Sequence, residues 1–249
     1  MSEDELWDGF CRHIKHERRF ILNPSGGIDP IADPKDWLPN YLPEIETALA
    51  SDVTMYRARL NPRDESDSPL GADKMSAPPE DIVKAGRVNP PGIPMLYAAM
   101  EKDTAVTEVR PEKGANVTIA RLAAKGPLRV VDLTSVPVIP DPFACGEDTL
   151  ASSIVRNAFL RCLNTSLSVP VRREDIDIEY LPTQYVAEVI RDAGYDGILY
   201  TSSLAEGGKN VVVFDPKQVM IDDATELVTV TAVSITHEER RTARLPRTH

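Results

Sequence analysis

The N-terminal part of the chain passes from a helical apolar pattern to a segment rich in turn-forming residues. Residues 1–22 carry apolar side chains at helical spacing, namely Leu6, Trp7, Phe10 and Ile14. This spacing predicts an amphipathic helix that packs on the body of the protein. Residues 23–43 are rich in proline, glycine and aspartate, which predicts irregular chain held in place by its apolar residues. A short helix is expected over residues 43–50.

An alternating pattern follows at residues 53–60. The sequence VTMYRARL predicts a strand with Tyr56 on one face and with Arg57 and Arg59 on the other. Residues 61–85 predict a long loop. A loop of this length is uncommon unless it serves a site or is disordered.

A short apolar run then leads into a helix. Residues 94–99, with the sequence PMLYAA, predict a buried strand. Asp103 and Thr104 are candidate caps for a helix that carries Glu108.

The second half of the chain mixes predicted strands and helices. The strands are expected at residues 116–122, 128–133, 195–202, 210–214, 219–221 and 227–235. The helices are expected at residues 150–163 and 181–193. Because these elements show no regular βαβ repeat, the sequence favours an α+β fold with a mixed β-sheet core and flanking helices.

Composition narrows the classes of function. The chain has 249 residues and a net charge of −11, which argues against direct binding to nucleic acid or to an anionic membrane. Its three cysteines are widely spaced and its four histidines lie near the two ends. Neither a disulfide framework nor a metal site is therefore expected. The sequence shows no signal-peptide pattern and no apolar run of membrane-spanning length, so a cytoplasmic protein is expected.

Residues 86–111 collect charged and aromatic side chains in one short segment. Arg87 lies in a proline-rich turn, Tyr97 in the predicted strand and Glu108 in the predicted helix. We interpret the segment as one wall of a small-molecule site. The alternative is a helix whose Glu108 and Arg110 simply face water. Since no glycine-rich phosphate-binding motif occurs in the sequence, a bound nucleotide would be held by side chains.

Several separated blocks occur in an order that closely resembles the RES-domain family. The blocks are GRVNPPGIPMLYAA, TAVTEVRP, YLPTQYVAE, GYDGILYTSS and GGKNVVVF, together with the Tyr-Arg pair of the early strand. The resemblance covers residues 53–216 and implies a fold similar to that of ADP-ribosyltransferases. It also implies an enzyme that acts on NAD+ and cleaves the bond between nicotinamide and ribose. Some members are described as NAD+ phosphorylases, and many are toxins held inactive by an antitoxin of the Xre class.

The resemblance also assigns the candidate site residues. Arg57, Glu108 and Ser202 match the family's catalytic Arg, Glu and Ser, while Arg87 and Tyr97 match further pocket positions. Two neighbours compete for these assignments, because Arg59 lies two residues after Arg57 and Ser203 directly follows Ser202. A serine that ends a strand beside a turn is also common for purely structural reasons, and Tyr97 could equally serve core packing.

These residue types suit the chemistry that the resemblance implies. Loss of nicotinamide leaves positive charge on the ribose, and a carboxylate such as Glu108 would stabilise it in the transition state. Arg57 and Arg87 would bind the pyrophosphate, or one of them would receive inorganic phosphate as nucleophile. Tyr97 and Tyr56 would stack on a ring of the substrate. NAD+ is then a substrate, inorganic phosphate is a candidate co-substrate, and no metal or further cofactor is expected.

The predicted organisation is an N-terminal helical and irregular extension at residues 1–50, a RES domain at 51–235 and a polar tail at 236–249. The extension and the loop at 61–85 argue against the toxin role more than against the NAD+ chemistry. Two other functions stay open, namely mono-ADP-ribosyl transfer to a protein and an inactive module that binds a nucleotide or a partner. The sequence also leaves open whether the chain forms a homo-oligomer.

Overall fold

The fold combines one large β-sheet with helices packed against it. The structure is a computed structural model, and it describes residues 5–19, 33–65, 67–137 and 147–234. The helices are α1 (Glu5–His16), α2 (Pro34–Tyr41), α3 (Lys102–Glu108), α4 (Glu147–Ser168), α5 (Ile176–Glu179) and α6 (Leu181–Asp192). The strands are β1 (Glu46–Leu49), β2 (Thr54–Leu60), β3 (Leu96–Ala99), β4 (Asn116–Ala124), β5 (Leu128–Asp132), β6 (Gly197–Thr201), β7 (Lys209–Val213) and β8 (Val219–Thr229).

Within the described residues, the strands form one mixed sheet. Its order is β1-β5-β6-β7-β3-β2-β4-β8. The β5–β6 pair is parallel, whereas the other pairs are antiparallel. The prediction of an α+β fold with a mixed sheet and flanking helices is therefore confirmed.

The sheet is split between β2 and β3. These two strands pair only at Tyr56 and Ala99, whereas β2 pairs with β4 along its whole length. The carbonyl groups of β3 that face β2 therefore lack a continuous partner strand, and buried carbonyls need hydrogen-bond donors from elsewhere. We call this break the β2–β3 split.

The larger hydrophobic core lies between the sheet and four helices, α1, α2, α4 and α6. Its centre is an aromatic cluster in which Phe159 contacts Trp7 at 4.9 Å and Trp37 at 5.4 Å between ring centroids. Both tryptophans come from the predicted extension at residues 1–50, and both are buried in the same core as α6. Burial of such rings contributes a large share of core stability.

Most predicted elements are confirmed with small shifts at their ends. The strand at residues 53–60, for example, runs from Thr54 to Leu60. The helix expected at residues 150–163 lies within the longer α4. The expected tail at residues 236–249 lies outside the described residues, as does part of the segment 23–43.

Three predictions of secondary-structure elements are wrong. Residues 34–41 form α2 rather than irregular chain, because Asp33 caps the helix and Pro34 occupies its first turn. Residues 43–50 do not form a helix, since a 3₁₀ turn ends at Ile45 and β1 begins at Glu46. Pairing of β1 with β5 decides that outcome, and such long-range pairing cannot be read from local sequence.

The third wrong prediction concerns the last strands. Residues 219–221 and 227–235 were expected to form two strands, but β8 is continuous from Val219 to Thr229. It pairs along β4, with a register shift between Ala120 and Leu122 of that strand. Because β8 is an edge strand, its polar middle residues are tolerated on the exposed side.

The helices in the described ranges include none with both the length and the apolar content needed to cross a membrane.

We expect Asp33→Ala to lower the free energy of unfolding by about 1–2 kcal/mol. The buried Asp33 carboxylate accepts hydrogen bonds from the Lys35 backbone N–H at 3.0 Å and from the Tyr185 hydroxyl at 2.9 Å. The change removes the cap of α2 and leaves the Tyr185 hydroxyl without its partner. Urea unfolding measures the effect. Asp36→Ala, at an exposed position in the same first turn, is the control, and equal losses in the two variants would contradict the assignment.

Candidate active site

A cavity of about 370 Å³ opens beside the β2–β3 split. Its walls come from β2, β3, β6, β7, the end of α3, the turn at residues 85–87 and the α5–α6 region. We call it the cleft. Small side chains give it room, namely Ala58, Ala85, Ala98, Ala99 and Ala105.

The floor of the cleft is a row of residues across four neighbouring strands. The register pairs Tyr200 of β6 with Asn210 of β7, Asn210 with Ala99 of β3, and Ala99 with Tyr56 of β2. Paired residues point to the same face of a sheet, and all four of these residues line the cleft. Ala99 leaves the middle of the row open between the longer polar side chains.

Glu108 lies at the C-terminal end of α3 and lines the cleft. Its Oε1 accepts hydrogen bonds from the Ser202 hydroxyl at 2.7 Å and from the Asn210 amide at 2.6 Å. Its Oε2 accepts no hydrogen bond from the described residues. The two donors therefore fix the orientation of the carboxylate while one oxygen stays available to a ligand.

Close packing at the start of α3 brings Glu108 to these donors. Glu101, rather than the expected Asp103 or Thr104, is the N-cap residue, and its Oε2 accepts hydrogen bonds from the Thr104 hydroxyl and the Lys209 backbone N–H. The capping prediction is therefore wrong. A Cβ at Gly208 would lie 2.4 Å from Thr104 Oγ1, so only glycine lets the turn before β7 approach the helix this closely.

Ser202 lies behind Glu108 and is not among the residues that line the cleft. Its hydroxyl donates to Glu108 and accepts from the backbone N–H groups of Leu204 and Ala205, each at 3.1 Å. The competing Ser203 instead donates to the Ser168 carbonyl at 2.6 Å. Of these two serines, Ser202 is therefore the one placed to orient the carboxylate.

Arg57 closes part of the β2–β3 split. Its guanidinium donates from Nη1 to the Tyr97 carbonyl at 2.5 Å, which supplies a donor to the open edge of β3. Its buried Nε has no hydrogen-bond partner among the described residues. Burial, together with the nearby Arg59, lowers the pKa of Arg57 to about 10. The group is therefore still charged at neutral pH, and a nearby anion would offset the cost of burying it.

Arg59 occupies a different place from Arg57. It donates to the Ser76 carbonyl at 2.7 Å and lines a second cavity of about 670 Å³ under the loop at residues 61–85. Arg57 lines both cavities, as do Gly86 and Tyr97. The two spaces therefore meet at the β2–β3 split, and the long loop covers the side away from Glu108.

Arg87 is held at the rim of the cleft by α4 and by the start of α6. It donates to the Val169 carbonyl at 2.5 Å and lies over the Tyr180 ring, with 5.8 Å between the guanidinium carbon and the ring centroid. Thr183 donates to the Arg87 carbonyl, and Gln184 donates to the carbonyl groups of Gly86 and Asn89. Residues of the block YLPTQYVAE therefore hold the turn that carries Arg87 in place.

Tyr97 has a clear role in holding the same turn. Its hydroxyl donates to Asn89 Oδ1 at 2.8 Å and accepts from the Val88 backbone N–H at 3.0 Å. A Cβ at Gly86 would lie 2.6 Å from this hydroxyl, so the turn needs glycine there. Burial raises the pKa of Tyr97 above its usual range, and the hydroxyl stays protonated. Its ring still lines the cleft, as does that of Tyr56.

The structure thus gathers five of the six predicted site residues around one space, and the sixth, Ser202, contacts Glu108 from behind. Three further residues that line the cleft, Asn210, Tyr180 and Tyr200, are not among the site residues predicted from the sequence. The residue blocks contained all three, but only the strand register and the helix packing show that they face the cleft. In the described parts of the chain, no group of three or more His, Cys, Asp or Glu side chains could hold a metal ion.

Comparisons with known proteins agree with the blocks found in the sequence. The family model for the RES domain matches residues 54–233. No curated protein matches the chain. Among solved structures, the chain is similar to one from the M. tuberculosis MbcT–MbcA toxin–antitoxin complex, at 17% sequence identity and a TM-score of 0.41, with 77% of this chain and 92% of that chain covered.

Proposed function

The chain belongs to the RES domain family, and on that premise we propose that it is an enzyme that consumes NAD+ by cleaving the bond between nicotinamide and ribose. The observation that carries this proposal is the Glu108 carboxylate, oriented by Ser202 and Asn210 in a cleft that also holds Arg57 and Arg87. A fixed carboxylate that shares a cleft with two cationic side chains suits a substrate with an anionic pyrophosphate and a sugar that becomes positively charged.

Glu108 would act on the reacting carbon. As the bond between nicotinamide and C1 of the ribose breaks, its electron pair leaves with nicotinamide, which becomes neutral. Positive charge then spreads over C1 and the ring oxygen. Glu108 Oε2, which accepts no hydrogen bond from the described residues, would be the group that faces that charge. A carboxylate already oriented there stabilises the transition state more than the ground state.

Arg57 and Arg87 would bind the phosphate oxygens of the substrate. Each guanidinium already donates to one backbone carbonyl, which fixes its position. Arginine forks match phosphate oxygens in geometry as well as in charge. Tyr56, Tyr97 and Tyr180 offer aromatic faces for the rings of the dinucleotide.

The acceptor would be inorganic phosphate or water. In phosphorolysis a phosphate oxygen forms the new bond to C1, and the products are nicotinamide and ADP-ribose 1-phosphate. In hydrolysis a water oxygen forms that bond, a proton is released, and the product is ADP-ribose. The two cationic side chains that line the cleft, Arg57 and Arg87, favour phosphate, so we propose phosphorolysis as the main reaction.

Two further roles remain predictions from the sequence resemblance. One is a toxin held inactive by an antitoxin of the Xre class, and the other is mono-ADP-ribosyl transfer to a protein. Growth arrest on expression that depends on Glu108 would support the toxin role. Labelling of a protein by radioactive ADP-ribose would support transfer.

NAD+ consumption by the purified protein, with and without inorganic phosphate, tests the proposal directly. We expect nicotinamide release to depend on phosphate and to yield one ADP-ribose 1-phosphate for each nicotinamide. Glu226→Gln serves as a control, because Glu226 lies on β8 and pairs with Lys102 at the surface. If nicotinamide is released at the same rate without phosphate, the reaction is hydrolysis rather than phosphorolysis. No release under either condition would overturn the proposed function.

A further inference from the structure

Tyr200 combines deep burial with a hydroxyl that the rest of the protein does not use. Only 5% of its surface is exposed, and its ring packs in the main hydrophobic core. Its hydroxyl makes no hydrogen bond with any described residue, yet it is not among the fully buried polar atoms without a partner, so its oxygen is accessible from the cleft that Tyr200 lines. A hydroxyl without a protein partner adds little to the stability of the folded state relative to a phenylalanine of the same shape.

The position of Tyr200 shows where that hydroxyl points. Its register partner is Asn210, which donates to Glu108, and both residues line the cleft. The charged and titratable groups that act on the Tyr200 phenol are Tyr97, Glu108, Arg87 and Tyr180. All four line the same cleft. Tyr200 therefore lines the cleft on the same face of the sheet as Asn210, the residue that donates to the Glu108 carboxylate.

The phenol stays in its neutral form, which makes it a hydrogen-bond donor. Burial, together with Tyr97 and Glu108, raises the pKa of Tyr200 above its usual range. A neutral phenol donates one proton and accepts others. Arg57 and Arg87 recognise anionic oxygens, whereas a neutral donor suits an uncharged acceptor oxygen.

We propose that the Tyr200 hydroxyl is a substrate-binding group that donates a hydrogen bond to an uncharged oxygen of the substrate next to the bond that breaks. The inference rests on the proposed function, because NAD+ supplies such oxygens in the nicotinamide carboxamide and in the hydroxyls of the adjoining ribose. The bond holds the nicotinamide half against Glu108, so that C1 meets the carboxylate in one orientation.

Tyr200→Phe tests this assignment, because it removes one oxygen and keeps the ring. We expect kcat/KM for NAD+ to fall about tenfold, the loss typical of one neutral hydrogen bond. The thermal midpoint should stay the same or rise, since no protein partner loses a hydrogen bond. Such a pair of changes, lower activity without lower stability, is typical of a residue kept for function.

Tyr195→Phe is the matched control. Tyr195 is equally buried and lies just before the same strand, but its hydroxyl donates to Glu46 at 3.0 Å, away from the cleft. This variant should lose thermal stability and keep the wild-type kcat/KM. The inference is overturned if Tyr200→Phe turns over NAD+ within twofold of the wild type. It is also overturned if Tyr200→Phe loses as much stability as Tyr195→Phe, because the hydroxyl would then have a structural partner.

A substrate analogue distinguishes the two acceptor oxygens. The thionicotinamide analogue of NAD+ replaces the carboxamide oxygen by sulfur, which is a weaker acceptor. If Tyr200 binds the carboxamide, the defect of Tyr200→Phe should shrink with this analogue. If it binds a ribose hydroxyl, the defect should be the same with both substrates. A wild-type protein that consumes no NAD+ would instead show that the proposed function itself is wrong.

Discussion

Glu108→Gln should lower kcat for NAD+ consumption by about 1,000-fold, with little change in KM. The amide is nearly the same size as the carboxylate. Its oxygen can still accept from Ser202 and Asn210, which both donate to one carboxylate oxygen. The amide nitrogen then takes the place of the second oxygen, and the negative charge that would face the ribose is lost. Since that charge matters mainly in the transition state, the loss should appear in kcat.

Rates of nicotinamide release measure this effect, and circular dichroism with thermal unfolding checks the fold. Glu226→Gln makes the same chemical change at a surface ion pair with Lys102 and should leave the rate unchanged. A Glu108→Gln protein that keeps more than a tenth of the wild-type kcat would remove Glu108 from the centre of the mechanism.

Arg57→Lys should lower kcat/KM by about 100-fold, which is the upper range for a hydrogen bond to a charged group. Lysine keeps the charge but has a single nitrogen. Its three N–H donors share that one atom, so they cannot span the distance by which the guanidinium fork reaches both the Tyr97 carbonyl, at 2.5 Å from Arg57, and a phosphate. Either the open edge of β3 or the substrate then loses its partner. We therefore expect a rise in KM together with a loss of stability of about 1 kcal/mol.

Steady-state kinetics and urea unfolding of the same samples measure both changes. Arg59→Lys is the control, because Arg59 lies on the same strand and donates to the Ser76 carbonyl outside the cleft. It should keep kcat/KM within about threefold of the wild type, as expected for a residue outside the site. If kcat/KM falls equally in Arg57→Lys and Arg59→Lys, the two arginines act together as one positive patch. The specific role assigned to Arg57 would then be contradicted.

The sequence predicted those parts of the fold that local pattern determines. The buried strands around Tyr97 and Val212 were evident because apolar residues run between clear turn signals. Strand β1 was missed because its pairing partner, β5, lies about 80 residues away, at the positions that pair Glu46 with Val131. Helix α2 was missed because aspartate and proline, which signal loops, also begin helices, and Asp33 is used in that way.

The same distinction applies to the site. Residue type and order indicated Arg57, Glu108 and Ser202. In the structure, Arg57 and Glu108 line the same cleft and Ser202 donates to Glu108. The sequence did not identify Asn210 and Tyr200 as site residues, because each lies in a strand that consists mostly of buried residues. The strand register across β6, β7 and β3 shows that these two side chains lie on the face of the sheet that borders the cleft.

The β2–β3 split divides the sheet into a five-stranded half, β1-β5-β6-β7-β3, and a three-stranded half, β2-β4-β8. Arg57 belongs to the smaller half, whereas Asn210 belongs to the larger one. A substrate that contacts both parts of the sheet would therefore act as a cross-link across the β2–β3 split, where the two strands pair at one position. By mass action, such a ligand raises the stability of the whole chain.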